Sequence, residues 1–273
     1  MQPDDECAGP ASELETDRPA ITIGVGLKMY FGYGRTLQWC EEVKEISRVH
    51  PAVVNGYVEL FVLPSYPALS AAREVFAGTS IRLGAQDLHW EDMGPFTGEV
   101  SGPMLAELGC AYVEVGHAER RRMFGETDDV VAAKTEAALR NGLVPVICVG
   151  EAQPCASANA LEACTGQLES ALGSRPDRGV ADRVVVAYEP FWAIGAREPA
   201  SVDHIETVCV GLKEVLVRMA GIEASTIYGG SAGPGLLGAL RGCVDGLFLG
   251  RSAHDPIAIE AVLSEALCLW EGP

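Results

Sequence analysis

Short apolar runs and amphipathic stretches alternate along the chain from about residue 20 to its end. The apolar runs are rich in β-branched residues and predict strands at about 20–26, 58–63, 80–85, 111–115, 143–149, 183–188, 225–229 and 244–249. The stretches between them have helical periodicity and predict helices at about 36–49, 66–77, 101–108, 129–141, 158–172, 201–220, 234–241 and 256–269. The pattern therefore predicts eight strand-then-helix units.

The predicted strands indicate a parallel sheet that is covered on both faces. Runs such as VPVICVG are apolar without interruption, which is typical of strands buried on both sides. Eight such units over roughly 250 residues match the count and size of a (β/α)8 barrel, an α/β fold. We therefore predict a single barrel domain over 20–273, with a doubly wound open sheet as the competing topology. Residues 1–19 are acidic and interrupted by Pro and Gly, and we expect a disordered extension there.

Composition narrows the classes of partner. The chain has 273 residues and a formal net charge of −18, which argues against nucleic acid or an anionic membrane as a partner. A local group of backbone N–H donors still binds an anionic substrate. The 9 cysteines form no Cys-x-x-Cys pair, so we expect free thiols and no zinc site. No apolar run is long enough to span a bilayer, and we expect a soluble, cytoplasmic protein.

Glu189 is the first candidate for chemistry. It ends the strand in VAYEPFWAIGAR and comes directly before a Pro-Phe-Trp-Ala-Ile-Gly loop. In a barrel, the functional groups gather at the carboxyl ends of the strands. A closing loop removes the water that keeps a carboxylate a weak base. We therefore expect Glu189 to abstract a proton beneath a lid formed by 190–197.

Two further polar residues follow predicted strands. His117 opens a short helix in YVEVGHAERRRMFGE, and the positive helix end favours a neutral imidazole that donates a hydrogen bond to a carbonyl oxygen. Lys28 follows the first strand in GVGLKMY, where a cation stabilises a developing oxyanion. Two late glycine-bearing turns, 228–235 and 247–254, each follow a strand, as the usual barrel phosphate site does.

These residues carry a family resemblance. The sequence is similar to triosephosphate isomerase over about residues 20–270. The matching segments, in order, are LKM (27–29), GAQD (84–87), PFTGEVS (95–101), EVGHAERR (114–121), AYEPFWAIG (187–195), YGGS (228–231) and DGLFLGRS (245–252). Because both the order of the segments and their places at strand ends agree, the match is specific.

The resemblance implies roles for particular residues. Glu189 would be the base, His117 the electrophile and Lys28 the electrostatic stabiliser. Glu119 and Arg121 match a supporting pair that orients Lys28 and the neighbouring subunit's loop. The substrate and its phosphate would be bound by Gly26, Gly195, Ser231, Gly250 and Arg251. The lid would consist of Pro190, Phe191, Trp192, Ala193, Ile194, Gly195, Ala196 and Arg197.

The resemblance also implies an assembly and a reaction class. Gln86 and Thr97 would lie at the interface of a homodimer. The reaction would be the isomerisation of a small phosphorylated sugar through an enediol or enediolate, with neither a cofactor nor a metal. If the substrates are glyceraldehyde 3-phosphate and dihydroxyacetone phosphate, the enzyme serves glycolysis and gluconeogenesis.

The chain departs from the family pattern around the substrate. Gly26 and Tyr30 stand where the family usually has Asn, and Ala118 stands where it has Ser. The lid ends Ala196-Arg197 in place of Thr-Gly, and Arg251 adds a guanidinium able to pair with phosphate. These changes leave Lys28, His117 and Glu189 in place, so a second substrate, a four-carbon erythrulose phosphate, stays open beside the triose pair. A non-catalytic paralogue that binds a phosphorylated metabolite or a protein is the alternative function.

Overall fold

Eight parallel strands close into a barrel in the computed structural model of the protein, which describes residues 21–173 and 181–271. The strands are β1 (Ile21–Gly26), β2 (Val58–Leu63), β3 (Arg82–Ala85), β4 (Tyr112–Val115), β5 (Val144–Val149), β6 (Asp182–Tyr188), β7 (Ile222–Tyr228) and β8 (Gly246–Leu249). Each strand pairs with the next in sequence, and β1 also pairs with β8, with Thr22 opposite Gly246. The predicted (β/α)8 barrel is confirmed, and the open sheet is excluded. The predicted extension over 1–19 lies outside the described residues.

Helices connect the strands on the outside of the barrel. The described helices are α1 (Tyr33–Val49), α2 (Pro51–Val54), α3 (Leu69–Phe76), α4 (Gly102–Glu107), α5 (Ala118–Phe124), α6 (Asp128–Arg140), α7 (Ser157–Gly173), α8 (Val202–Arg218), α9 (Leu236–Ala239) and α10 (Pro256–Glu271). Short 3₁₀ turns cover Tyr66–Ala68 and Arg251–His254. In the described part of the chain, no helix has the length and apolar character that a membrane span requires.

Local chemistry explains where the elements differ from their predicted bounds. Strand β7 begins at Ile222, three residues before its predicted start, because its first residues, which include the charged Glu223, pair with β6. Helix α2 was absent from the prediction; Pro51 occupies its first position, and the His50 side chain accepts a hydrogen bond from the Ala52 N–H. Helix α9 is a single turn rather than the predicted 234–241.

The core has two parts, one between the strands and the helices and one inside the barrel. Inside, the rings of Phe61 and Tyr112 stack with centroids 4.4 Å apart, and Phe248 lies 6.0 Å from Phe61. Glycines permit this close packing, because a Cβ at Gly24 would lie 2.3 Å from the Phe61 ring and one at Gly84 would lie 2.7 Å from Cβ of Tyr112. The interior is therefore filled with side chains, and the open space lies at one end of the barrel.

Candidate active site

A cavity of about 600 Å³ opens at the carboxyl ends of the strands. Its walls come from residues that follow or end β1, β4, β6, β7 and β8. The predicted site residues that line it are Gly26, Lys28, His117, Glu119, Glu189, Ile194, Gly195, Ala196, Arg197, Ser231, Gly250 and Arg251. Segments that are far apart in the sequence thus meet because parallel strands bring their carboxyl ends to one edge.

Glu189 follows β6 and points into this cavity. Its backbone N–H donates to the Val149 carbonyl at 2.8 Å, which continues the β5–β6 pairing by one residue. Its side chain lies against Gly229, where a Cβ would come within 2.3 Å of Oε1. The residue is 5% exposed, and Oε2 has no hydrogen-bond partner among the described residues. A buried carboxylate oxygen without a partner is available to accept a proton.

His117 directly precedes α5 and acts as its N-cap. Its Nδ1 accepts a hydrogen bond from the Glu119 backbone N–H at 3.1 Å, so Nδ1 is unprotonated and Nε2 carries the hydrogen of the neutral ring. Nε2 lies 3.5 Å from Oε2 of Glu189. The proton donor of the ring and the free carboxylate oxygen therefore face the same space.

Lys28 reaches the cavity from the turn after β1. Its Nζ donates to Oε1 of Glu119 at 2.8 Å. Burial acts to lower the pKa of Lys28, but the hydrogen bond to Glu119 and the charges of Glu189, Glu119 and Glu114 raise it above its ordinary value. The backbone of Lys28 is left-handed, with φ of 49°, and the Gln86 side chain donates to its carbonyl at 3.0 Å. The cation is therefore fixed in place at the cavity wall.

Arg121 does not join Glu119 in orienting Lys28. Its Nε donates to the Gly116 carbonyl at 2.9 Å, and one terminal nitrogen pairs with Asp128 at 2.6 Å. It thus ties the turn before His117 to the start of α6. Glu119 alone of the predicted pair contacts Lys28.

The lid, residues 190–197, is bound to the barrel at several points. Trp192 Nε1 donates to Glu151 at 2.7 Å. The Ser231 hydroxyl lies 2.8 Å from the carbonyl oxygen of Ala193 and 3.0 Å from that of Ala196. Beyond the lid, the Ala200 N–H donates to the Tyr228 hydroxyl at 3.1 Å. The lid is therefore held against the barrel at the rim of the cavity.

Arg251 points at the lid. One guanidinium nitrogen donates to the Gly195 carbonyl at 2.6 Å, so the side chain joins the turn after β8 to the lid. The sequence suggested a bidentate contact with phosphate for this guanidinium, and the structure directs it to the lid backbone. Arg197, the other departure in the lid, is almost fully exposed.

The two glycine-bearing turns line the cavity on the side opposite β4. Ser231 has a left-handed backbone with φ of 55° and lies in the turn after β7, and Gly250 lies in the turn after β8. The helices that follow are short: α9 has one turn, and a 3₁₀ turn follows Gly250. Backbone N–H groups of the turns, more than long helix dipoles, are therefore the groups that this wall offers to an anion.

Two predicted interface residues differ in environment. Gln86 is half-buried, and its side chain donates to the carbonyls of Lys28 and Leu63 at 3.0 and 2.9 Å. Thr97 is exposed in the segment between β3 and α4. Gln86 thus supports the turn that carries Lys28, and Thr97 projects from the chain.

Glu114, which was not among the predicted site residues, also lines the cavity. It lies on β4, is 7% exposed, and accepts a hydrogen bond from the Cys148 thiol at 3.6 Å. Burial raises the pKa of its carboxyl group to about 7. A signal existed in the sequence, since YVEV places a charged residue inside an otherwise apolar strand.

Glu114, His117 and Glu189 converge closely. One oxygen or nitrogen atom from each lies within 4.8 Å of the others, a spacing that is compatible with a bound metal ion. The predicted absence of a metal therefore stays a prediction, and a chelator tests it.

A second cluster of buried charges lies beside the site. In this ion-pair ring (Asp87, Arg120, Glu126 and Lys134), each side chain pairs with two of opposite charge at distances of 2.6 to 2.7 Å. Asp87 follows β3, and Lys134 lies on α6. Its members are up to 47 residues apart, so no local motif reveals the ring.

Comparisons with known proteins agree with this geometry. The sequence profile of the family described as triosephosphate isomerase matches residues 21–266. An L-erythrulose-1-phosphate isomerase from Pectobacterium atrosepticum is 54% identical over 250 residues, covering 91% of this chain and 96% of that one. A triosephosphate isomerase from Moorella thermoacetica is 39% identical over 231 residues, covering 82% and 92%. The crystal structure of triosephosphate isomerase from Bartonella henselae superposes with a TM-score of 0.74 at 28% identity, covering 92% and 99%.

Proposed function

The chain belongs to the triosephosphate isomerase family, and on that basis we propose that it isomerises a four-carbon ketose phosphate by proton transfer without a cofactor. The observation that carries the chemistry is the geometry of two side chains. Among the described residues, Oε2 of Glu189 has no hydrogen-bond partner, and it lies 3.5 Å from Nε2 of His117 in the cavity that the lid borders. A base and a hydrogen-bond donor thus face the same cavity.

The reaction follows from these positions. Glu189 removes a proton from the carbon beside the substrate carbonyl and gives an enediol or enediolate. The Nε2–H of His117 and the ammonium group of Lys28 stabilise the charge on the oxygen. Glu189 then returns the proton to the adjacent carbon. A carboxylate base with a neutral histidine beneath a closing loop is the established chemistry of triosephosphate isomerase itself.

The phosphate group is assigned to the wall formed by the lid and the last two turns. Backbone groups of Gly195, Ser231 and Gly250 surround that end of the cavity. The lid excludes water there, which limits loss of phosphate from the enediolate.

The substrate assignment is supported by the relatives and by Gly26. The relative from Pectobacterium atrosepticum is named for L-erythrulose 1-phosphate, and its identity of 54% exceeds the 39% of the triosephosphate isomerase from Moorella thermoacetica. Gly26 lines the cavity without a side chain, and a Cβ there would lie 3.3 Å from the Phe248 ring. The triose pair is the competing substrate, and the non-catalytic alternative has no observation in its favour.

Steady-state kinetics on both substrates tests the proposal. We expect kcat/KM for L-erythrulose 1-phosphate to exceed that for dihydroxyacetone phosphate by at least ten-fold. Turnover of the triose near the diffusion limit of about 10⁸–10⁹ M⁻¹s⁻¹ would reverse the substrate assignment. In deuterated water, wild type should exchange the carbon-bound proton of the substrate and Glu189→Gln should not; absence of exchange in both would reject the enzyme mechanism.

Chelation provides the control for the absence of a metal. Activity after treatment with EDTA and desalting is expected to equal that of the untreated enzyme. Loss of activity that a divalent metal restores would show that Glu114, His117 and Glu189 hold an ion.

We propose a homodimer, supported by exposed apolar side chains near the site. Met29, in the turn after β1, is 92% exposed, and Met93, between β3 and α4, is 87% exposed. Tyr30 and Phe96 beside them are also exposed, and Thr97 lies in the same segment. Apolar surface of this kind is typical of protein interfaces. Light scattering should give twice the chain mass, and Met93→Glu should lower it to one chain; a monomeric wild type would contradict the assignment.

A cytoplasmic location completes the proposal. Every described cysteine is a free thiol, and most are buried, as in proteins of a reducing compartment. Cell fractionation tests it, and recovery of the protein outside the cytoplasm would contradict it.

A further inference from the structure

Glu114 occupies a position inside the barrel that strand geometry determines. Side chains alternate along a strand, and Tyr112 packs in the interior cluster whereas Val113 and Val115 pack in the outer one. Glu114 therefore points inward, one step closer to the cavity than Tyr112. Its neighbour across the β4–β5 pairing is Val146, and the thiol of Cys148, two residues further along β5, donates to it at 3.6 Å.

The carboxyl group of Glu114 has few partners for a buried acid. Among the described residues, the thiol of Cys148 is its hydrogen-bond donor, and thiols are weak donors. A carboxylate offers about four acceptor positions, and burying it without partners is unfavourable. Oε2 of Glu189, which has no hydrogen-bond partner, faces the same space.

Glu151 shows what a structural buried glutamate looks like in this protein. It receives hydrogen bonds from the Tyr188 hydroxyl at 3.1 Å and from Trp192 Nε1 at 2.7 Å, and His204 Nε2 lies 3.2 Å away. Its carboxylate is therefore satisfied by the protein. Glu114 is equally buried and lacks such a set, which leaves its remaining positions for a ligand in the cavity.

The order of strands fixes which end of the substrate meets Glu114. In a closed barrel of eight strands, β4 lies opposite β8. The phosphate wall is built from the lid and from the turns after β7 and β8, so Glu114 faces it across the cavity. A substrate held by its phosphate therefore presents its other end to β4. In a four-carbon ketose phosphate, the carbon that loses the proton carries a further hydroxymethyl group at that end, where dihydroxyacetone phosphate has only a hydrogen atom.

We propose that Glu114 hydrogen-bonds the further hydroxymethyl group of a four-carbon ketose phosphate and thereby selects this substrate over a triose phosphate. The inference rests on the proposed function and adds a residue that sets substrate length. Glu189 remains the base. Glu114 is a binding residue, placed within 4.8 Å of the groups that act on the adjacent carbons.

Kinetics on two substrates tests this role. In Glu114→Leu, kcat/KM for L-erythrulose 1-phosphate should fall about ten- to a hundred-fold, the usual effect of losing a hydrogen bond to a charged or buried group. The value for dihydroxyacetone phosphate should change less than about three-fold. Glu114→Gln keeps a donor and an acceptor and should restore most of the loss. Glu162→Leu, which removes an exposed glutamate on α7, is the control for charge and should leave both values unchanged.

Binding without turnover provides a second measurement. In the Glu189→Gln background, adding Glu114→Leu should lower the affinity for L-erythrulose 1-phosphate by at least about ten-fold. The affinity for dihydroxyacetone phosphate should stay unchanged. Thermal unfolding checks the fold, and Leu should match or exceed the stability of the buried acid. If the melting temperature of Glu114→Leu falls well below that of wild type, the comparison rests on Glu114→Gln, which should lower kcat/KM for the four-carbon substrate alone, and by less than Leu does.

The outcomes separate this inference from the proposed function. If wild type turns over neither substrate, the proposed function fails. If it turns over the triose alone, the four-carbon assignment fails, and the role of Glu114 fails with it. If wild type prefers the four-carbon substrate but Glu114→Leu lowers both values equally, the inference alone is overturned.

Discussion

Two clusters of buried charged side chains lie near the same end of the barrel and differ in how completely their charges are paired. In the ion-pair ring, Lys134 pairs with both Asp87 and Glu126 at 2.6 Å, and Arg120 closes the circuit. In the cavity, Glu114 has one weak donor among the described residues, and one oxygen of Glu189 has none there. The acids of both clusters are buried. The difference teaches that pairing, more than burial, separates a structural charge from one kept free for substrate.

Substitution of one acid in each cluster should separate the two roles, and it gives the largest expected effect. Glu189→Gln should lower kcat by about 10²–10⁴-fold, since it removes the general base. Its free energy of unfolding should equal or exceed that of wild type, because one of two neighbouring carboxylates is lost. Glu126→Gln should clearly lower the free energy of unfolding. Its kcat should stay within a few-fold of the wild-type value. Equal losses of stability in the two variants would break the comparison.

The ring itself predicts the next largest effect. Lys134→Met leaves Asp87 and Glu126 buried without their shared cation and should lower the free energy of unfolding by about 3–5 kcal/mol, measured in urea. Lys213→Met is the matched control. Lys213 pairs with Asp245 at 2.6 Å in a more exposed position, so a loss of about 1 kcal/mol or less is expected. Similar losses in both variants would show that burial of the ring adds nothing.

The pH dependence of the free energy of unfolding tests the charges in the cavity, because Glu114 lacks the ion pairs that the ring has. The pKa of Glu114 is raised to about 7, chiefly by burial, with Glu189 opposing its charge and His117 and Lys28 favouring it. The folded protein therefore binds this proton more tightly than the unfolded chain does. The stability that the proton contributes is complete below the ordinary pKa of about 4.5 and is lost as pH rises to 7.

Glu114→Gln isolates this contribution. Its free energy of unfolding, compared with that of wild type between pH 4.5 and 7.5, should lack a decline of about 3 kcal/mol. The slopes from all other groups cancel in the difference between the two curves. Parallel curves would mean that Glu114 has the same pKa in the folded and unfolded states.

Arg251 gives the smallest effect among the activity variants. Its guanidinium holds the lid through the Gly195 carbonyl, and Arg251→Ala should raise KM about two- to ten-fold, as expected for one exposed hydrogen bond. Arg251→Lys should recover part of this. Arg241→Ala, at another exposed arginine, should have no effect. A large loss of kcat in Arg251→Ala would instead indicate that the side chain reaches the phosphate.

The sequence predicted most of the fold because the barrel follows from local patterns. Most strand residues are apolar, with uninterrupted apolar runs in strands such as β5 and β8, and each of the longer helices has its own periodicity. Lys28, His117 and Glu189 were recognisable because each directly follows a strand, and in a barrel that position alone brings residues into the cavity. The predicted element bounds were wrong where pairing with a neighbouring strand outweighs the local pattern, as in the first residues of β7, which include the charged Glu223.

The missed features depend on geometry that no local pattern contains. The role of Glu114 depends on which side chains of β4 point into the barrel. A strand that is buried on both faces has no alternation of polar and apolar residues, so the sequence does not show which face is the inner one. The ion-pair ring joins residues from three separate segments. The direction of Arg251 depends on where the lid lies, and the separation of Arg121 from Lys28 depends on the start of α6.

The left-handed backbone of Lys28 has a consequence for anyone who improves this enzyme by selection. A side chain with a Cβ costs about 1 kcal/mol in that conformation, and Gly or Asn adopts it more easily. A library screened for heat resistance alone would therefore drift toward Gly or Asn at position 28 and discard the cation. Thermal stability and turnover favour different residues at position 28, so a useful screen must select for both at once.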